Sequence, residues 1–394
     1  MRRGTGEKHQ FAAENRLVVL TALDRVAADV DDVIRASIAS VSDWDYVSSS
    51  LARHGTLLTF GRHVERLGLL HALPDRCREH LGRTGMVMRY RNARFFEEMK
   101  RISSAFHEQG LPLVFIKGAL LVIAGYYGPE DRLMEDLDVL VPAGQAAKAV
   151  QLLMGIGYEE PGRAGGAARF RHRGEMLFIN SRDRELIVEL SVKLNKNHEL
   201  RHCYPFADGE LQQKLSPATV GGAPFFLIEK EFHFAYCLFH HVALNYLYRL
   251  NWLNDLAGMI ADPEMDPDRI GRYVDAYGLR RSWGLLNGIL QRHFRISPKE
   301  PLVRLPARLE VIFLDDACGF ADLGTIESNN VAIRLSLIGN WWDRVLVGLK
   351  KIVLPPDWLR AYYGLHDTTP AATVYMLHLI NSLKRLLKIR ERHP

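Results

Sequence analysis

Cysteine is scarce in this chain: four residues in 394, at Cys77, Cys203, Cys237 and Cys318. They are scattered without paired spacing, which implies neither a zinc module nor a disulfide framework and fits a reducing, cytoplasmic setting. Long hydrophobic runs are also missing. The most apolar window, Leu111 to Tyr127, carries Lys117 near its centre with Pro112, Gly118 and Gly125 beside it. Such a window reads as strand, turn and helix, so no transmembrane segment is expected. The first ten residues are polar and do not lead into the apolar core of a signal peptide, so export is not expected. No tandem repeat and no low-complexity tract stands out. Charge of one sign is modest. The formal net charge is +5, and residues 341–394, with nine Lys/Arg against four Asp/Glu, account for the excess. That describes a local basic patch and excludes a uniformly basic nucleic-acid binder. Its run Leu383 to Arg390 reads as an amphipathic helix, either a solvated face or a contact for RNA, an anionic membrane surface or an acidic partner.

What the chain does contain is apolar mass and a change of period. With 47% hydrophobic residues over 394 positions it can bury a large core, and more than one domain is expected. Residues 1–105 read as a helical region, with Leu17, Val18, Leu20, Leu23 and Val26 at helical spacing. Over 106–205 the pattern shifts to short strands with intervening helices, and over 206–394 it turns helical again. The expected fold is α+β: a small mixed-sheet core flanked by N-terminal and C-terminal helical regions. Pro161 to Ala167, followed by Arg169, Arg171, His172 and Arg173, reads as a turn with solvated arginines, or alternatively as a basic flap.

Chemistry concentrates in the middle segment. Leu111 to Ile116 is apolar and suits a buried strand, and Ala119 to Ala124 after Gly118 suits a helix. Gly118 lets backbone approach closely, and unpaired N–H groups at that turn favour a phosphate tail. Lys117 can neutralise such a tail, or reach solvent as an ordinary strand-end lysine. Arg132 offers a planar fork for phosphate oxygens. In the strand from Asp136 to Val141, a period of two sends Asp136 and Asp138 to one face and Leu137 and Val139 to the other. Two hard anions side by side invite magnesium. Leu186, Val188, Leu190 and Val192 alternate in the same way, leaving Glu189 and Ser191 on the opposite face and making Glu189 a candidate third carboxylate.

These residues resemble a known pattern. Lys117-Gly118 after a strand, the pair Tyr126-Tyr127, the series R-x-x-x-D-x-D-x-L-V from Arg132 to Val141, and L-x-x-x-G-Y from Leu153 to Tyr158 are similar to the nucleotidyltransferase superfamily of DNA polymerase beta type. The likeness is closer to its bacterial branch of uncharacterised nucleotidyltransferases. Further on, Leu238 to His241 and Arg249 to Ala257 match L-x-x-H and R-L-x-W-L-x-D-L-A, and Leu346 to Tyr363 resembles the tail of that family. Ser191 stands where the family places histidine. The resemblance implies transfer of a nucleoside monophosphate from an NTP, ATP included, to an unknown acceptor, a small molecule or peptide. It implies two Mg2+ ions on Asp136, Asp138 and Glu189, with Lys117, Gly118 and Arg132 on the triphosphate. Two alternatives stay open: a toxin-like nucleotidyltransferase acting on tRNA or protein, and a nucleotide-binding scaffold whose chemistry has lapsed. In the later helices, Arg249 and Asp255 are expected either to form a buried pair that braces the domain or to line the nucleotide or acceptor pocket, and His240 or His241 to be either a hydrogen-bonded core histidine or a general base.

Overall fold

The computed structural model describes residues 11–161, 170, 173–297, 304–352, 354–366 and 368–391. The polar start of the chain lies outside them, and so do residues 162–169, 171 and 172, where the turn or flap was expected. The fold is α+β, as the sequence implies, and the chain divides into two compact units.

The first unit comprises residues 1–104, 115–134 and 211–339. It is built from helices and one antiparallel hairpin. The longest helix, Asp75–Glu108, belongs to it up to Ser104. Helix boundaries follow side-chain chemistry. Asp43 accepts from the Tyr46 amide at the start of Trp44–His54, which stops at Gly55 in the left-handed region. Asp266 caps Pro267–Ala276, whose proline occupies a first-turn position with no amide to leave unpaired. After Lys230–Leu238 the helix widens into a π-helical turn, Phe239–Leu244, and resumes as Leu250–Ile260. Such turns are rare and recur at functional sites, and this one carries His240 and His241. Leu17, Val18, Ile34, Phe60, Phe232, Leu253, Leu285 and Phe313 fill the interior. Phe232 meets Tyr273 and Tyr277 edge-on at 5.7 and 5.9 Å.

The second unit, residues 105–114, 135–210 and 340–394, holds the main sheet apart from Phe115 of its first strand. The strands are β1 (Val114–Phe115), β2 (Leu137–Leu140), β3 (Tyr158–Glu159), β4 (Glu175–Asn180) and β5 (Ile187–Ser191). Their order is β1-β2-β5-β4-β3. β2 runs parallel to β5, while β4 is antiparallel to both β5 and β3, so the sheet is mixed. Leu137, Val139, Val188, Leu190 and Phe178 are fully buried, the apolar set that period-two alternation requires. A four-residue strand cannot fix its own register by length. The buried face does so, because a slip of one residue would turn Leu137 and Val139 to the wrong side. Among the described residues no helix is long and apolar enough to cross a membrane. The segment Ala371–Glu391 is helical, but the polarity of its face at 383–390 lies outside the described side chains.

Candidate functional site

β2 and β5 bring three acids together. Leu137 pairs with Val188, Asp138 with Glu189 and Val139 with Leu190, and side chains directly opposite in a parallel pair share a face. Asp136 lies two residues before Asp138 and so joins that face. Carboxylate oxygens of Asp136, Asp138 and Glu189 all lie within 4.8 Å of one another, with Asp136 exposed, Asp138 buried and Glu189 between. Three hard oxygen donors at that spacing, open on one side, fit a small divalent cation that keeps part of its water. Carboxylate oxygens suit hard cations such as Mg2+, Ca2+ or Mn2+ rather than soft ones.

Two residues that the motif omits complete this patch. Lys196, in the turn after β5, bonds Glu189 and lies 3.3 Å from Glu175 Oε2. Glu175 opens β4 in register with Ser191, which puts it on the same face as Glu189. Their only sequence signal was the glutamate at the start of an apolar strand and a lysine seven residues past the acid.

In the first unit, Lys117 and Gly118 form a tight turn at the head of the helix Lys117–Ile123. Lys117 has a φ of 56°, left-handed backbone that a residue with a Cβ occupies only when its surroundings hold it there. His233, itself buried, is hydrogen-bonded to the Lys117 backbone. Gly118 is required by close approach, because a Cβ there would overlap the guanidinium of Arg132. Gly118→Ala is therefore expected to destabilise the protein by about 2 kcal/mol. It is also expected to weaken nucleotide binding, as read by thermal melts with and without an NTP.

Arg132 is buried, and its fork is closed on Asp255: Nε reaches Oδ1 at 2.8 Å, Nη2 reaches Oδ2 at 2.6 Å, and Nη1 donates to the Leu133 carbonyl at 3.3 Å. Asn92, fully buried, clamps the approach to Arg132 by donating to the Glu130 carbonyl at 2.8 Å and accepting from the Met134 amide at 3.4 Å. His241 Nε2 stands 3.5 Å from Asp255 Oδ2, and its ring stacks on Trp252 at 5.1 Å. Tyr127 is hydrogen-bonded to the same carboxylate. Burial alone would raise the Asp255 carboxyl, but the charge and bonds of Arg132, with His241 beside them, hold it well below the usual carboxylate range. The expected Arg249–Asp255 pair is thus corrected to Arg132–Asp255. Arg249 is the residue before Leu250–Ile260, and six residues of helix turn Asp255 about 240° away from it.

Burial also lowers His233 to about 3 and His54 to about 4, and it lowers His241. An unfolded histidine titrates near 6.5, so the unfolded chain takes up protons first as pH falls. Stability is therefore full above about pH 6.5 and is expected to decline steadily towards pH 4. Melting temperature measured across pH 4–8 checks this, with the largest slope between about 6.5 and 4.

Two further groups gather polar side chains. Tyr126 and Tyr127 line a cavity of about 560 Å3 with Asp24, Asn254, Gly258 and Asp262, and Tyr126 donates to Asp262 Oδ2 at 2.8 Å. His202, Cys203 and Asp343 place ligand-type atoms within 4.8 Å of one another. Lys350 Nζ, able only to donate, lies 3.1 Å from His202 Nδ1, which leaves the ring proton on Nε2 facing Cys203 and Asp343. Burial, with Asp343 adding to it, pushes the Cys203 thiol up to about 12.

No curated protein and no solved structure matches the chain. A family model does: the one described as "Uncharacterised nucleotidyltransferase" matches residues 40–295. That span takes in Lys117-Gly118, the Asp136–Asp138 pair, Glu189 and the Arg132–Asp255 brace. Nucleotidyltransferases generally draw on an NTP and a divalent metal, and an acidic group able to hold such a metal is present in β2 and β5. The chain belongs to this nucleotidyltransferase family and is a transferase.

Proposed function

We propose that this protein is a metal-dependent nucleotidyltransferase that moves a nucleoside monophosphate from an NTP, ATP included, onto a hydroxyl-bearing small molecule or peptide. The observation that carries this reading is the convergence of Asp136, Asp138 and Glu189 on adjacent parallel strands, in a chain of a nucleotidyltransferase family. Two magnesium ions on these carboxylates would supply the positive charge that activates the acceptor oxygen and offsets the charge of the triphosphate. The chain itself orients and charges the substrates. Lys117 sets a cation beside the triphosphate, and Gly118 keeps the backbone clear for it. Arg132 was expected on the triphosphate, but its fork is closed on Asp255, so it supports the turn by packing against Gly118. Glu189 takes the acceptor proton as the acceptor oxygen bonds to the α-phosphorus. The bond from that phosphorus to the bridging oxygen breaks, and pyrophosphate leaves.

The test is to incubate the protein with magnesium and each α-labelled NTP in the presence of separated RNA, protein and small-molecule fractions. Pyrophosphate release together with label in the small-molecule or peptide fraction is expected. Label on RNA or on large proteins would instead assign the toxin-like reading. Triphosphate binding without pyrophosphate release in any fraction would leave the lapsed scaffold.

A further inference from the structure

The acid triad has a cation built into it. Lys196 bonds Glu189 and lies 3.3 Å from Glu175 Oε2, and its side chain is only 13% exposed. It is not a surface lysine that settled there by chance of rotamer. Its neighbour Asn195 is buried and ties the turn from both ends: Nδ2 donates to the Tyr204 carbonyl at 2.9 Å, Oδ1 accepts from the Asn197 amide at 3.1 Å, and Arg201 Nε donates to the Asn195 carbonyl at 2.9 Å. Glu175 is fixed as well, as the first residue of β4 and nearly inaccessible. The ammonium is therefore delivered to Glu189 by a braced turn on one side and a strand-borne carboxylate on the other.

An ammonium on a carboxylate opposes a second cation on the same carboxylate. It draws charge from the shared oxygens, and two cations a few ångströms apart in a partly desolvated site repel. We infer that Lys196 is the resident counter-ion of Glu189. It holds that acid and has to release it before a divalent cation binds there fully. The site then takes its metal together with the triphosphate, whose added negative charge offsets the repulsion, rather than taking the metal alone. This rests on the proposed metal role of Asp136, Asp138 and Glu189.

The test is a Mn2+ titration followed by electron paramagnetic resonance, on the full chain with and without a non-hydrolysable NTP analogue. Lys196→Met removes the charge and keeps the apolar stem, and Lys196→Gln is the second variant if the first does not fold. Without nucleotide, either variant is expected to bind Mn2+ about fivefold more tightly than the parent, the factor that one partly exposed ion pair contributes. The gain in Mn2+ affinity on adding the analogue is expected to shrink by the same factor. A lysine that merely supported Glu189 would give the opposite sign, because its loss would loosen the metal. Unchanged or weaker Mn2+ binding in both variants overturns the inference. Asp138→Asn separates this from the wider reading. Parent and Asp138→Asn proteins that bind Mn2+ equally would overturn the metal role itself. Loss of binding in Asp138→Asn with no gain in the Lys196 variants would overturn only the counter-ion.

Discussion

Asp138→Asn is expected to reduce nucleotidyl transfer by about a thousandfold while leaving the protein folded. The substitution keeps the size of the side chain and one oxygen, and it removes a negative charge directly opposite Glu189 in the β2–β5 pair. Charge stabilisation by metal-held carboxylates is worth several kcal/mol in the transition state, and about 4 kcal/mol corresponds to that factor in rate. Stability is expected to move the other way or not at all. Three carboxylates whose oxygens lie within 4.8 Å of one another repel, and removing one eases that repulsion. Pyrophosphate release and a thermal melt on the same sample give both readings. A variant that transfers as fast as the parent removes Asp138 from the chemistry.

The largest effect on stability is expected at Arg132. Both partners of the Arg132–Asp255 pair are buried, at 8% and 0% side-chain exposure. Deleting one leaves the other charged, without its partner, in a medium that solvates it poorly. Arg132→Met is therefore expected to cost about 3–5 kcal/mol, a drop of roughly 10 °C in melting temperature. Replacing both, Arg132→Met with Asp255→Leu, is expected to recover most of that loss, since an apolar pair needs no solvation. The pH dependence has a definite sign. The Asp255 carboxyl is depressed in the folded state, so its contribution is complete above the ordinary aspartate range near 3.9 and is lost only as pH falls below it. The acid limb produced by the histidines comes earlier, which makes the two separable in a pH series. If Arg132→Met melts with the parent, the pair is not a brace. The same variants bear on nucleotide binding, because Gly118 has no room for a Cβ only while the guanidinium sits where Asp255 holds it.

Part of the candidate site was legible because its signals are local. A period of two in Asp136 to Val141 places two carboxylates on one face with no tertiary information, and alternation about Glu189 does the same for the third. That Asp138 and Glu189 lie side by side was not legible. Among the described residues, the helix Ala146–Gly155 and strands β3 and β4 intervene before β5 returns beside β2, and strand order is set by how these elements cover one another's apolar faces. Lys196 illustrates the same limit. Seven residues beyond Glu189 it looks like any lysine in a polar turn, and only the Asn195 bonds and the neighbouring strand aim it back at the acid. The Arg249–Asp255 expectation failed for a related reason. Closeness in sequence suggested a partner, while the true one lies 123 residues upstream, and helical phase points Asp255 away from Arg249.

By itself the sequence determined that the protein is α+β, that Asp136 and Asp138 share one face of a strand, and, through its resemblance to a nucleotidyltransferase family, that the chemistry is nucleotidyl transfer. The shared strand face follows from spacing within one element, where the backbone repeat alone says which side chains lie together, whereas the activity follows from the family resemblance. Only the tertiary structure decided which charges meet. It closed Arg132 on Asp255, set Lys196 on Glu189 and aligned Asp138 with Glu189. Ion pairs and strand register join residues far apart in the chain, and the burial of apolar faces that selects among those pairings is a property of the whole fold rather than of any segment.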